Sequence, residues 1–423
     1  MKKGTKLDKP LLIITIIFFI FGLILIIAFH KRTLKFTKLD KPLLVVMLIF
    51  IVFGLIMILS ASSMASYMRY DNSIYYYLIR QGIFSTIGLV AFLLAIYFPT
   101  KFFKKLSPFL MFILIASLFG LTIYGAAYNS SQSWYDLKFI TIQPSELGKI
   151  IIILFLANYY NNHKDDLDNQ WTLLKPIFLT IIIFLIVAMQ PDFGTAFVIF
   201  GIVIMIFYAL PLKKQTRSPI NRLFLGGIAL VALALLLTGG SFLREYQLKR
   251  FNFLDPCERY EEETGYQLCN SLIAFKNGGL TGSGIGESTQ KYLYLPEAHT
   301  DFIFPIIVEE WGLIVGIIII GLYCFMLIRI LNIAKRATNL GNSIIAYGVF
   351  AYLLFHITIN LVGVMGIGPL TGVPLPFLSY GGSYTLTLLF SMGLVQRVHY
   401  ETYKQDNKRR KTRKWNLLTI DFN

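Results

Sequence analysis

The stretch Tyr294-Leu-Pro-Glu-Ala-His-Thr-Asp-Phe-Ile-Phe304 sets a cluster of polar groups directly against an apolar run that continues to residue 330. A helix of about 20 apolar residues, rising about 1.5 Å per residue, matches a hydrocarbon layer roughly 30 Å thick. Working outward from it, further apolar runs lie at 11–29, 43–61, 82–98, 107–127, 144–161, 176–190, 194–212, 223–240, 343–363 and 381–398. Only helices or closed barrels satisfy their backbone in lipid, and these runs lack the period-2 alternation of barrel strands. The expected fold class is an all-α polytopic membrane protein. Composition agrees: the 423-residue chain is 56% hydrophobic, with a mean hydropathy of +0.63.

The net charge of +16 is spread between the apolar runs, which argues against a nucleic-acid-binding or a secreted protein. Basic residues cluster at Lys31/Arg32/Lys35/Lys38, Lys101/Lys104/Lys105, Lys213/Lys214/Arg217/Arg222, Lys335/Arg336 and Lys408-Arg-Arg-Lys-Thr-Arg-Lys414. Counted from just before residue 43, these clusters fall in alternate connections, and such residues mark the cytoplasmic side. Segments 62–81, 128–143, 241–301 and 364–380 are then expected outside, and Asp301 with them.

Near the N-terminus, Lys6-Leu-Asp-Lys-Pro-Leu-Leu12 recurs as Lys38-Leu-Asp-Lys-Pro-Leu-Leu44. Phe21-Gly-Leu-Ile24 recurs as Phe53-Gly-Leu-Ile56 at the same offset. This reads as a local duplication of one helix with its entry sequence. If the copy spans, a basic N-terminus lies outside, against the charge bias; if not, the run at 11–29 is re-entrant or interfacial. The spanning alternative is preferred. No small-residue cleavage site follows the run, so a cleavable signal peptide is not expected. The expected organisation is a duplicated helix and basic linker at 1–37, a transmembrane domain at 38–400 with the outward loop 241–301, and a basic cytoplasmic tail at 401–423.

Asp301 is the first candidate for chemistry, because a carboxylate at a membrane–water boundary is costly to hold there. The plainer role is helix capping: Thr300 or Asp301 can accept free N–H groups of the helix beginning near Phe302. Capping accounts for one such group but not for Glu297 and His299 beside it. A partly desolvated carboxylate there would have its pKa raised towards the range a general base needs.

Other motifs are weaker alone. In Gln143-Pro-Ser-Glu-Leu-Gly-Lys149, Pro144 suits an early helical position, and Glu146 and Lys149 are neighbours on one face, as an ion pair or as part of a substrate groove. Asp192, in Gln190-Pro-Asp-Phe-Gly-Thr195, reads as a turn or cap residue. Asn277-Gly-Gly-Leu-Thr-Gly-Ser-Gly-Ile-Gly286 is a flexible turn or an anion-binding nest. Arg250 is basic where the bias disfavours it, which points to an anionic partner such as a phosphate. Gly368-Pro-Leu-Thr-Gly-Val-Pro-Leu-Pro-Phe-Leu-Ser-Tyr-Gly-Gly-Ser383 cannot continue a regular helix, and Thr371, Ser379 and Ser383 offer hydroxyls to a polar ligand. His356 reads as a packed helix residue. Cys257 and Cys269 share the outward loop, where a bridge can persist but is not fixed by sequence. Cys324 reads as apolar filler within a span.

In order along the chain, several motifs resemble those of the SEDS family (shape, elongation, division and sporulation) of peptidoglycan glycosyltransferases. They are Gln143-Pro-Ser-Glu146, Pro191-Asp-x-Gly-Thr195, Gly265-Tyr-Gln267, Gly278-Gly279, Leu295-Pro-Glu-x-His-Thr-Asp-Phe-Ile-Phe304, Glu309-Glu310-x-Gly312 and Pro374-Leu-Pro-Phe-x-Ser-Tyr-Gly-Gly-Ser383. The resemblance runs from Pro42 to near Val398, and Gln290-Lys-Tyr-x-Tyr-Leu-Pro-Glu297 is worded more like the division and sporulation branches than the elongation branch. It implies a ten-helix bundle with a large extracytoplasmic loop between the seventh and eighth helices. Two departures are Ser133 before Trp134, where the family usually has Arg, and the duplicated leading helix.

The reaction so implied is polymerisation of lipid II, the undecaprenyl-pyrophosphate-linked disaccharide peptide, with Asp301 as general base. Glu146, Lys149, Arg250, Glu297, His299, Thr300, Thr371, Ser379 and Ser383 are the expected substrate-binding residues. The developing pyrophosphate charge calls for positive groups, Arg250 and Lys149, or for a divalent cation, Mg or Mn. Implied partners are a class B penicillin-binding protein transpeptidase and other division proteins, in a bacterial cytoplasmic membrane with the site outside, at the division septum. The competing readings are a lipid II flippase, a scaffold for the transpeptidase, and the elongation or sporulation paralogue.

Overall fold

The computed structural model describes residues 38–69, 73–124, 126–128, 131–136, 141–190, 192–222, 226, 250, 252–292 and 294–420. The expected runs at 11–29 and most of 223–240 lie outside these residues. The described helices are α1 (Lys41–Arg69), α2 (Tyr76–Tyr97), α3 (Thr100–Tyr124), α4 (Pro144–Asn162), α5 (Gln170–Met189), α6 (Phe193–Ala209), α7 (Glu263–Gly278), α8 (Ile303–Arg336), α9 (Leu340–Val364) and α10 (Gly382–Ile420). By length and composition, α1, α2, Thr100–Leu121 of α3, α5, α8 and α9 can cross a membrane, and α6 is a shorter apolar helix. Helices α4 and α10 occupy the runs expected at 144–161 and 381–398. Helix α10 continues unbroken through the basic tail, so no break marks its expected start at 401.

Short polar side chains start these helices as their sequence directs. Asp40 accepts from the Leu43 N–H at 3.0 Å, Asn169 from Trp171 at 3.0 Å, Asp192 from Thr195 at 3.2 Å and Asn339 from Asn342 at 2.8 Å. Pro144 opens α4 at a position where its missing N–H costs nothing. Beyond α3 the chain forms a small antiparallel sheet of β1 (Ala126–Tyr128), β2 (Ser131–Asp136) and β3 (Thr141–Ile142), in that order. Its register pairs Ala126 with Trp134 and Tyr135 with Ile142.

Helix α9 is the axis. Two thirds (67%) of its apolar window is buried, against 28% for α8, and it packs on α4, α6, α7, α8 and α10. Helix α8 instead turns Ile314, Ile317, Ile318, Phe325 and Ile328 outward, as a lipid-facing helix must. Cys324 lies on that exposed face, so it is not the interior filler expected.

The bundle has two distinct polar ends. At one, Arg329 pairs with Asp40 at 2.5 Å, and Thr100, Asn342 and Glu401 bond one another. At the other lie Asp301, Asn360 and the Gln143–Asp192 contact at 2.6 Å.

Helix α8 is broken at Gly312, whose φ of +83° and ψ of 165° leave the helical region. The glycine-rich segment after α7 fills the break. Ser283 and Gly284 N–H groups donate to the Glu309 and Glu310 carbonyls at 2.9 and 3.1 Å, while Leu313 and Ile314 donate to Gly279 and Leu280 at 3.0 and 3.3 Å. Side chains would not fit: a Cβ on Gly282 would lie 2.3 Å from the Glu310 oxygen, and one on Gly312 2.3 Å from the Leu280 oxygen. The glycines serve this close backbone approach.

Candidate active site at the polar end of the bundle

Asp301 sits half-buried one residue before the N-cap of α8. The cap itself is Phe302, with no side-chain cap bond, so neither Thr300 nor Asp301 is consumed by capping. The segment before it is a tight turn in which Glu297 has φ +55°, and the Glu297 carbonyl accepts from Thr300 N at 3.0 Å and Thr300 Oγ1 at 2.9 Å. The Thr300 hydroxyl also lies 3.1 Å from Glu297 Oε2 and 2.9 Å from Asp301 Oδ1. Burial, and then the Glu297 charge, push the Asp301 carboxyl up to about 6; the Thr300 hydrogen bond and the Arg250 charge act in the opposite direction. Burial lowers His299 to about 4, against the pull of Glu297 and with that of Arg69. At neutral pH His299 is an uncharged ring, not a cation.

The Gly368–Ser383 segment is the wall facing Asp301. Asn360, on α9, donates to the Asp301 carbonyl at 2.7 Å and to the Val373 carbonyl at 2.8 Å. Tyr380 N–H donates to the His299 carbonyl at 2.9 Å, and the His299 ring lies against Tyr77 and Tyr380. Gly372 has φ +69°, and a Cβ placed there would meet only Asp301 Oδ2, at 3.6 Å. One carboxylate oxygen therefore faces exposed Gly372, and the other faces Thr300.

Prolines leave that segment's backbone short of helical partners, and side chains replace them. Ser379 Oγ accepts from Leu375 N–H at 2.8 Å, Tyr323 donates to Pro376 at 2.5 Å, and Gln81 accepts from Gly381 at 3.2 Å. Ser383 donates to Thr141 at 3.0 Å and accepts from Gln143 at 3.3 Å. Ser379, expected to meet ligand, is 1% exposed and holds the turn instead. Thr371 is half-exposed beside Gly372, and its carbonyl and Cβ would lie 2.7 and 3.1 Å from a Cβ on Gly194.

Glu146 and Lys149 form an enclosed ion pair at 2.7 Å. Lys149 is 0% exposed, and its ammonium also lies 3.0 Å from His356 Nε2. His356 Nδ1 lies 3.1 Å from the Pro374 carbonyl. A carbonyl only accepts, so Nδ1 carries the hydrogen and Nε2 accepts from Lys149. His356 is the packed residue expected. Lys149 and Glu146 reach the site through this wall and present no charge at a surface. Arg250 is half-buried and acts electrostatically on Asp301.

A second polar knot beside the site was not given a role in the sequence reading. Glu309 accepts from Asn277 at 3.0 Å, from Thr289 Oγ1 at 2.9 Å, from the Thr289 and Gln290 N–H groups at 3.3 Å, and from Ser288. Glu310 pairs with Lys291 at 2.8 Å and accepts from Ser60 at 2.6 Å. The signal was present, since two successive carboxylates inside an apolar run require buried partners. Cys257 and Cys269 are bridged, which ties the segment after Arg250 to α7. Among the described residues, no group of three or more His, Cys, Asp or Glu could hold a metal ion.

A half-buried aspartate at the rim of a multi-pass bundle, faced by a proline-broken wall, is the site that the class of membrane protein must explain. The family model described as cell cycle protein, covering FtsW, RodA and SpoVE, matches residues 40–404, and the chain belongs to that family. It is 35% identical over 357 residues to the probable peptidoglycan glycosyltransferase FtsW of Bacillus subtilis (strain 168), covering 83% of this chain and 88% of that one. It is 36% identical over 342 residues to the protein of the same name from Coxiella burnetii, covering 78% and 87%. The fold is similar to a chain in a peptidoglycan synthase complex that coordinates polymerisation and crosslinking, with TM-score 0.68, 24% identity and 86% and 98% coverage. It is also similar to the rod shape determining protein RodA of Thermus thermophilus, with TM-score 0.60, 24% identity and the same coverage.

Proposed function

We propose that this protein is a peptidoglycan glycosyltransferase that polymerises lipid II at the outer face of the cytoplasmic membrane, in septal wall synthesis. The observation that carries the reading is Asp301: a carboxyl lifted to about 6, fixed through Asn360, with Oδ2 turned to exposed Gly372. A base of that pKa is ionised at pH 7 yet strong enough to take a proton in the transition state.

In the reaction, the acceptor sugar hydroxyl gives its proton to Asp301 as its oxygen attacks the anomeric carbon of the growing strand. The new C–O bond forms while the bond to undecaprenyl pyrophosphate breaks on the opposite face, with inversion. Arg250 is the positive group assigned to the leaving pyrophosphate, and a divalent cation carried by the substrate would serve the same charge. The half-buried Tyr380 ring, backed by the buried Tyr77 and neutral His299 rings, is the aromatic surface assigned to a sugar face. A class B penicillin-binding protein is the proposed partner, since a wall strand needs crosslinking as it is made.

The test is polymer formation from lipid II by purified protein. Asp301→Asn should be folded, membrane-inserted and inactive; normal polymer from it would sink the base assignment. A second reading, transport of the lipid-linked sugar, draws on the enclosed Glu146–Lys149 pair, because carriers place ionisable groups within the bundle. Polymer formation in detergent, where there is no second compartment, separates the two.

A further inference from the structure

We infer that Glu297 and Thr300 form a proton exit from Asp301: the proton taken from the acceptor sugar leaves through the Thr300 hydroxyl to Glu297, and from there to water. The inference rests on the reading of Asp301 as the base and assigns Glu297 and Thr300 a task other than holding substrate.

Geometry carries it. Thr300 Oγ1 stands 2.9 Å from Asp301 Oδ1, 3.1 Å from Glu297 Oε2 and 2.9 Å from the Glu297 carbonyl. A hydroxyl has one hydrogen to give and lone pairs to accept with. Between two ionised carboxylates it satisfies only one of them. Between one carboxylic acid and one carboxylate it serves both, accepting from the first and sharing its hydrogen between the second and the Glu297 carbonyl. The three groups are therefore matched to a state holding one shared proton, as in other close carboxylate pairs. Asp301 Oδ2 faces exposed Gly372, so the side open to substrate and the side that meets Thr300 are different oxygens. Rotation about the terminal carboxyl bond, a soft two-fold torsion, brings an acquired proton to Thr300.

The backbone supplies an independent observation. Glu297 has φ +55°, a left-handed conformation that costs a residue with a Cβ about 1–3 kcal/mol. Gly or Asn would adopt it more readily. The turn instead carries a half-exposed carboxylate aimed at Thr300, and a local rule broken in this way marks a functional position.

The step balances. The Asp301 O–H bond breaks as its proton joins Thr300 Oγ1, the former Thr300 O–H bond breaks as that proton joins Glu297 Oε2, and Glu297 releases one proton to water. Asp301 returns to its ionised form, ready for the next sugar. The charged and titratable groups around the relay are Arg250 and Glu297, which act on Asp301, and His299, on which Glu297 and Arg69 act.

The experiment uses the full-length purified protein with lipid II, following the first addition and continued polymerisation separately. Thr300→Val and Glu297→Gln should slow continued turnover by about tenfold or more, within the usual range for lost proton transfer. The first addition should be slowed far less, because Asp301 begins ionised. Small buffer bases such as formate or imidazole should restore turnover in both variants, and Thr300→Ser should restore it without them. Thermal unfolding checks that each variant is folded. Equal slowing of both phases with no rescue, or unimpaired turnover in Thr300→Val, overturns the relay. Activity in Asp301→Asn would instead overturn the base assignment beneath it, so the two failures are distinct.

Discussion

Asn360 and Asp301 are joined by a 2.7 Å hydrogen bond from the Asn360 side-chain amide to the Asp301 carbonyl. The same nitrogen serves Val373 at 2.8 Å, so one amide on the central helix fixes both the proposed base and its facing wall. Asn360→Leu keeps the volume but leaves two carbonyls without this donor. Each unsatisfied buried group costs about 1–3 kcal/mol. The variant should unfold at lower temperature by a corresponding amount and lose most polymerisation. Full activity in Asn360→Leu would show that the wall needs no such tether.

The Asp301 carboxyl predicts a pH profile with a defined sign. The base works ionised, so the initial rate should fall as pH drops through about 6, approaching tenfold per unit below it. Glu297→Gln removes a charge that raises this value, so the acidic limb of the first addition should move to lower pH. Arg250→Gln removes a charge that lowers it, so the limb should move up. Initial rates across pH 5–8 decide the matter, and a limb indifferent to both changes belongs to another group.

Much of this was legible from residues alone. The apolar runs define the helices because lipid leaves the backbone no alternative. Asp301 stood out because a carboxylate beside such a run needs a reason. Long-range partnerships were not legible. Nothing in Asn277–Gly286 announces that its backbone closes a break in a helix that begins after Asp301. Nothing in Lys149 announces that His356 and Pro374 enclose it. Asn360 looks like any polar residue near a helix end, and only the fold brings it under Asp301.

The break in α8 gives a third prediction. Gly312→Ala places a methyl group 2.3 Å from the Leu280 oxygen at a φ of +83°. Backbone strain there costs about 1–3 kcal/mol before the clash is counted. The loop should detach from the break, seen as faster amide exchange at Ser283, Gly284, Leu313 and Ile314, and polymerisation should fall with it. Protection of those four amides at the native level in Gly312→Ala would mean that the exchanged hydrogen bonds do not depend on this glycine.

The enclosed Glu146–Lys149 pair supplies a fourth, and it bears on what the pair is for. Removing one member of a buried pair leaves an uncompensated charge and costs about 3–5 kcal/mol, whereas replacing both by neutral groups of similar size is often nearly neutral. Lys149→Met should therefore destabilise strongly by thermal unfolding, and Glu146→Gln with Lys149→Met together should recover most of that loss. Activity of the double variant then discriminates. If the pair serves only to hold His356 and the Pro374 wall in place, polymerisation should recover alongside stability. If the double variant is stable but inactive, the Lys149 charge itself acts on the lipid-linked substrate despite its burial, which requires the bundle to open between α4 and α9.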